Sequence, residues 1–506
     1  MKKINIFLLL LMIPGFFLVS CNKFEEINTD PDAPTKVPSS MLARNLLLEV
    51  LRTGGNKYFI YDNLMSKQLA WGEGMESYQY NTFGRSDFSG YTTVLSGVKM
   101  VELADEAFKN SYDGLFHFIK AYKIFYTSME MGDVPYSEAL KGESGLETPK
   151  YNTQKEVMTG ILADLDKAYE LFSDGRTFEG DIVFNGNLEK WKKTVTAFQL
   201  KVLMFLSKKE SDADLNIKAK FAQVVQRGLM TSNADNFQLV FSSKSGQIYP
   251  FNNNNTKHDV YGMLSNVMVD HLKSWGDYRL FYYARPSEVK LAAGKQADDW
   301  DAYLGVDPSL SGGDIKNIYT SDDFCHFNYR YTDYEPGEPL VRIGYAEQNF
   351  ILAEAVLRGW IPGNANDYYK KGIEASMNFI ADHTPDNVKY HNGRKITPAI
   401  IASTITNPAI QLTGTFSTDL EKIITQRYVA SFMILPWDAY YDYRRTGYPV
   451  LPINPATNQN AVKDKLPIRW MYPDGEYSSN KENVEAAVQR QWGGTEDVNK
   501  VMWILE

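Results

Sequence analysis

Apolar residues in the first half of the chain recur at the spacing of an α-helix. Leu115, Phe118, Tyr122, Phe125 and Met129 fall on one stripe, and Val157, Ile161, Leu165, Ala168 and Phe172 on another. Such a stripe is buried only when a second helix packs on it. Helical spacing dominates from Ser39 to about Phe205. Polar, glycine-containing breakers at 110–114 and 173–180 are short enough to fold consecutive helices into antiparallel hairpins. The pattern returns over 345–360, where Ala346, Phe350, Ala353 and Leu357 share a face. Pro362 and Gly363 follow, then a second helix over 365–380. Small residues at the crossing and a tyrosine in the second helix are the cues of tetratricopeptide-like pairs, although the period is too irregular to stand on repetition alone. The expected fold is mainly α, a stack of helix hairpins with long inserted loops and little β.

Three stretches interrupt the helical spacing, at 71–91, 237–256 and 284–338. They are rich in Gly, Asn, Asp, Ser and aromatic residues. Loops of that length in a compact protein usually carry function. Residues 448–477 hold five prolines and several asparagines and are expected to form ordered coil draped over the helices. No boundary between domains shows in the pattern, so residues 39–506 are read as one domain.

The N-terminus reads differently. Lys2 and Lys3 precede an apolar run from Ile4 to Val19, broken by Pro14 and Gly15, and then come Ser20 and Cys21. This is the layout of a secretory leader, too short and kinked for a comfortable membrane span. Leu18, Val19, Ser20 and Cys21 look like a bacterial lipobox. Cleavage after residue 20 would leave Cys21 as an acylated N-terminus, with residues 21–38 as a tether between lipid and fold. Residues 22–26 resemble a short acidic sorting signal for the outer face of the outer membrane. Cys325 is then the one remaining cysteine, so no intramolecular disulfide can form, and it is read as a packed small hydrophobe.

Charge narrows the ligand class. Losing Lys2 and Lys3 takes the 53 basic side chains to 51, against 62 acidic ones, a net charge of −11. That sign repels phosphate backbones and argues against nucleic acid. Aromatics make up 13% of the chain, with 32 Tyr and 9 Trp, more than a helical core of this length needs. The surplus lies on a surface or lines a site.

Four segments in chain order resemble the SusD/RagB family of outer-membrane lipoproteins, and more closely its SusD-like 2 branch. They are Met131 to Ala139 (MGDVPYSEA), Tyr345 to Ala355 running on to Arg358, Gly359 and Trp360, Asp442 to Pro449 (DYRRTGYP), and Pro467 to Pro473 (PIRWMYP) with the later Glu476 and Asn480. With the lipobox and the Asn28 to Pro31 stretch, they spread over nearly the whole chain. The resemblance implies a SusD-like α-α superhelix with four tetratricopeptide-like units. It also implies a role as lid on a SusC-like TonB-dependent outer-membrane transporter, delivering glycans or, in some members, peptides. Two departures stand out: Trp492, Gly493, Gly494 and a lone Trp503 occupy the place of a closing tryptophan pair, and Tyr278 follows Asp277 where relatives carry proline.

A sugar ring offers an apolar C–H face and a rim of hydroxyls, so its binder needs flat aromatics together with amide, carboxylate or guanidinium groups. Trp71, Tyr78, Tyr80 and Phe83 sit among Glu73, Glu76, Gln79, Asn81 and Arg85. Trp275, Tyr282, Tyr283, Trp300 and Tyr303 form a second set, and the run containing Asn253 supplies amides. The expected ligand residues are therefore Trp71, Tyr78, Tyr80, Arg85, Asn253, Trp275, Tyr282, Trp300 and Tyr303, with core packing or barrel contact as the alternative for each. Gly132 reads as a helix stop. Arg444 and Arg445, beside Asp438 and Asp442, read as a buried ion-pair network or an anion site, with structure favoured. Six scattered histidines make no zinc pair on a helix, and neither a nucleophile elbow nor a phosphate loop is present. A surface glycoside hydrolase needs only two carboxylates and stays open as the alternative, as does oligopeptide binding. No cofactor is expected: Asp298, Asp299 and Asp301, and likewise Asp322 and Asp323, lack the spacing of a calcium loop and read as solvated charge.

Overall fold

The computed structural model describes residues 37–55, 57–252 and 258–506, so Cys21, the leader and Asn253 lie outside the described residues. The longer helices in chain order begin with α1 (Ser39–Leu51), α2 (Lys57–Met65), α3 (Ser89–Glu102), α4 (Lys109–Met131) and α5 (Gln154–Ser173). They continue with α6 (Leu188–Phe205), α7 (Ile217–Val225), α8 (Asn266–Trp275), α9 (Gly312–Ser321) and α10 (Tyr345–Leu357). The last five are α11 (Ala365–Asp382), α12 (Pro398–Thr406), α13 (Phe416–Ala430), α14 (Pro436–Thr446) and α15 (Lys481–Trp492). Neighbours pack in sequence from α3 through α7, and α10 joins the stack by packing on α6, α11 and α13. This is the expected mainly helical stack of hairpins. Among the described residues no helix is long and apolar enough to cross a membrane.

Both stripes read from the sequence lie in the core, where Phe118, Tyr122 and Phe125 of α4 meet Phe198 of α6 and Phe172 of α5 stacks on Trp191 of α6. Every residue of both is buried, and α4 packs on α5. Helix α5 starts with a reciprocal cap: the Thr153 hydroxyl accepts from the Glu156 amide at 3.3 Å, and the Glu156 carboxylate accepts from the Thr153 amide at 2.8 Å. Residues 110–114 are not the expected breaker, because α4 runs straight through them. Gly114 sits where a Cβ would come within 3.2 Å of the Phe172 ring, so this glycine brings α4 and α5 close instead of ending a helix. The stop at Gly132 is present, with φ at +94°.

Strand content is small. β1 (Leu69–Trp71), β5 (Gly262–Leu264), β7 (His326–Phe327) and β6 (Ala284–Arg285) form one sheet in that order. Two-stranded pairs join β2 (Val134–Pro135) to β3 (Tyr151–Asn152) and β4 (Phe237–Leu239) to β8 (Leu340–Ile343). The tail over 448–475 is coil, as expected.

Arg445 belongs to a structural network. A chain of buried ion pairs alternates in sign: Asp438 to Lys201 (2.7 Å), Lys201 to Glu347 (2.9 Å), Glu347 to Arg427 (2.6 Å), Arg427 to Asp442 (2.8 Å) and Asp442 to Arg445 (2.8 Å). It ends with Arg445 to Glu354 (2.8 Å) and Glu354 to Arg358 (2.8 Å). Four acids and four bases cancel across α6, α10, α13 and α14. Arg444 departs from this: it lies over the Tyr441 ring at 4.2 Å and donates to the Ile468 carbonyl. Cys325 is buried and accepts from the Leu304 amide at 3.1 Å, and burial pushes its thiol up to about 12.

Candidate functional site

Strand β1 pairs antiparallel with β5, setting Trp71 opposite Gly262, and the first inserted loop leaves the sheet directly after Trp71. A buried lysine shapes that loop. The Lys67 ammonium donates to the carbonyls of Tyr78 (3.2 Å) and Gln79 (2.5 Å) and to the Asn81 side-chain oxygen (2.7 Å). Burial brings Lys67 down to about 7. The Gln79 side chain accepts from the Trp71 amide at 2.7 Å, which ties the loop back to the strand. The far side is fastened by the tail: Asn81 donates to Asn458 (3.1 Å), Thr82 to Gln459 (2.7 Å), and the Gln459 amide to the Tyr80 carbonyl (2.9 Å).

Three rings step outward from this base. Trp71 is fully buried under the Lys57 ammonium and lies 5.5 Å from Tyr261, and Tyr261 lies 5.8 Å from Tyr319 at an interplanar angle of 33°. Tyr261 and Tyr319 are both partly exposed. Gly72 makes the outermost step possible, since a Cβ there would fall 2.6 Å from the Tyr319 ring. Polar groups border the rings: Lys316 stands 4.9 Å from the Tyr319 centroid, and Glu73 is exposed. Two partly exposed aromatic rings with carboxylate and ammonium groups at their edge offer the chemistry a sugar ring requires.

The sequence-predicted residues divide sharply. Trp71, Tyr80, Tyr282 and Tyr303 are buried, and Trp275 is only 9% exposed, so these rings face protein and present no flat face to a ligand. Tyr80 donates to the Leu310 carbonyl at 3.1 Å and Tyr303 to the Ala297 carbonyl at 2.8 Å. Tyr282 accepts from the Ile396 amide at 3.0 Å, and Trp275 stacks on His271. Arg85 has its donors engaged by Asp474 (2.6 Å), Glu496 (3.1 Å) and the Tyr472 carbonyl (2.7 Å), so it anchors the tail and is not free to grip a hydroxyl rim. Tyr78 is half-buried among Tyr61, Phe83, Trp437 and Trp470. Trp300 is half-buried against Phe281. Tyr261 and Tyr319 were not singled out from sequence. Tyr319 follows Ile315 and Ile318 on a helix and reads as core, while Tyr261 follows the amide run with nothing to mark its exposure. The aspartates weighed for calcium are engaged within the protein: Asp299 and Asp301 with Lys295, Asp322 with His326, Asp323 with Ser287.

The chain belongs to the SusD-like 2 family, described as "Starch-binding associating with outer membrane", which matches residues 31–473. A SusD homolog from Bacteroides fragilis is 59% identical, with a TM-score of 0.91, the match covering 93% of this chain and 100% of that one. A protein from Bacteroides vulgatus, described as an outer-membrane protein with nutrient binding as its suggested role, is 30% identical. Its TM-score is 0.84, with the same coverage. A chitin-binding SusD homolog from Flavobacterium johnsoniae shares the fold at 21% identity and a TM-score of 0.69, covering 92% of this chain and 98% of that one. No curated protein matches the chain.

Proposed function

We propose that this protein is a lipid-anchored cell-surface lipoprotein that captures an oligosaccharide and hands it to a SusC-like TonB-dependent transporter, without cleaving it. The observation that carries the reading is the pair of partly exposed rings, Tyr261 and Tyr319, stepping out from Trp71 beside Glu73 and Lys316. Stacking on two successive rings suits an oligomer whose sugars present one apolar face after another. Acylation of Cys21 keeps the protein at the membrane, and the acidic residues after it direct it to the outer face. Membership in a family of starch-binding outer-membrane proteins supports the reading. Incubating the purified protein with a panel of oligosaccharides tests it. Saturable binding without release of shorter products is expected, and turnover of any bound glycan overturns the binding-only role.

A further inference from the structure

A second cleft, of about 250 Å³, lies between α2, α4 and the start of α14 and shares no residue with the ring surface. Three carboxylates line it, Asp62, Glu130 and Asp438; Lys201 holds Asp438 at 2.7 Å, whereas Asp62 and Glu130 form no ion pair among the described residues. Asp62 accepts from the Trp437 indole and Glu130 from the Ser86 hydroxyl. The cations at the same cleft are turned elsewhere. Lys123 donates to the Glu49 carbonyl at 2.9 Å, and Arg342 to the carbonyls of Leu51 (3.0 Å) and Arg52 (3.1 Å), so both cap the C-terminal end of α1. Arg342 faces Asp62 and Arg444 faces Glu130 without ion-pair contact, and burial still outweighs their attraction, so both acids are costly to hold as anions until a positive charge arrives in contact.

Two further observations describe what should arrive. Tyr126, Trp437 and Tyr441 line the cleft with aromatic surface, which attracts an organic cation. Asn63 and Tyr441, 0% and 1% exposed, also line it, and the Asn63 side-chain NH2 and the Tyr441 hydroxyl have no hydrogen-bond partner in the protein. Buried donors of this kind call for an acceptor on whatever fills the space. A simple alkylammonium would satisfy the acids and the rings but leave these two groups unmet. An ammonium ion that also carries hydroxyl groups satisfies all of them.

We propose that this cleft binds a hydroxylated organic ammonium ion, such as the ring of an amino sugar, with Asp62 and Glu130 holding its charge. The Trp437 and tyrosine rings flank its body, and Asn63 with Tyr441 donates to its oxygens. The test is titration calorimetry at neutral pH with glucosamine and with glucose, on the unaltered protein and on the Asp62→Asn, Glu130→Gln double variant. Glucosamine is expected to bind saturably and at least tenfold more tightly than glucose, and the double variant to lose at least tenfold in glucosamine affinity at a melting temperature no lower than that of the unaltered protein. Equal affinity for the two sugars, absence of saturable glucosamine binding, or full affinity in a folded double variant overturns the proposal. The two-sugar comparison decides the charge requirement on the unaltered protein even where the double variant does not fold. It is also separate from the ring-surface reading, which concerns neutral oligomers.

Discussion

Replacing Arg427 by Met cuts the alternating chain of buried charges at its centre. Arg427 bridges Glu347 (2.6 Å) and Asp442 (2.8 Å), with its side chain 6% exposed. Without it, Lys201 must serve both Asp438 and Glu347, Arg445 must serve both Asp442 and Glu354, and one negative charge stays uncompensated inside the stack. Breaking a buried pair by removing one partner costs roughly 3–5 kcal/mol. Unfolding entropy of about 2.1 cal/mol/K per residue, over 506 residues, gives roughly 1 kcal/mol per degree, so the melting temperature should fall by about 3–5 °C. Differential scanning calorimetry at pH 7 reads this directly. Adding Asp442→Asn restores neutrality and should recover a large part of the loss, a coupling the double-mutant cycle measures. A shift below about 1 °C in the single variant, with no coupling in the double, would show that the network bears no uncompensated charge and that the argument is wrong.

Acid should loosen the same network. Burial alone would raise the Glu354 carboxyl, but Arg445 and Arg358 bring it down to about 2. Its contribution is therefore complete above the ordinary carboxylate range and is lost as pH falls toward 2, which pH-dependent melting checks. Glu130 behaves oppositely: burial pushes it up to about 7, with Asp87, Asp62 and Arg444 facing it. Its penalty appears as pH rises from about 4.5 to 7, so Glu130→Gln should stabilise the protein above pH 7 by roughly 1–3 kcal/mol and have no effect at pH 4. Tyr319→Ala should weaken oligosaccharide binding several-fold in affinity electrophoresis while leaving the melting temperature nearly unchanged, and a large fall in melting temperature would make the ring a packing element. Gly72→Ala should displace the Tyr319 ring and weaken the same binding, at about 1–3 kcal/mol in stability. Cys21→Ala should release the protein from the membrane fraction, as cell fractionation would show.

The helical stack was legible because its signal is local and periodic. The stripes on α4 and α5 could be read directly, and so could the α10 and α11 pair and the proline-rich coil. The misreading at 110–114 shows the limit of that signal. Asn, Ser, Asp and Gly together signal a break, but the requirement that decides there is tertiary, the room the Phe172 ring needs above Gly114. The site failed for a related reason. Composition located the aromatic loops but could not say which rings face outward, because exposure depends on partners far along the chain. Trp71 looked like a ligand platform and became the floor on which Tyr261 and Tyr319 rest, while Arg85 was taken up by acids nearly four hundred residues later.

The hydrogen bonds that fasten residues 80–82 to Asn458 and Gln459 make the first inserted loop depend on a segment 377 residues further along the chain. A chain synthesised in N-to-C order presents the loop early, yet its clasp follows only after most of the protein has been made. A chain cut before Asn458 therefore keeps every residue of the loop and loses the partners that hold its far side in place.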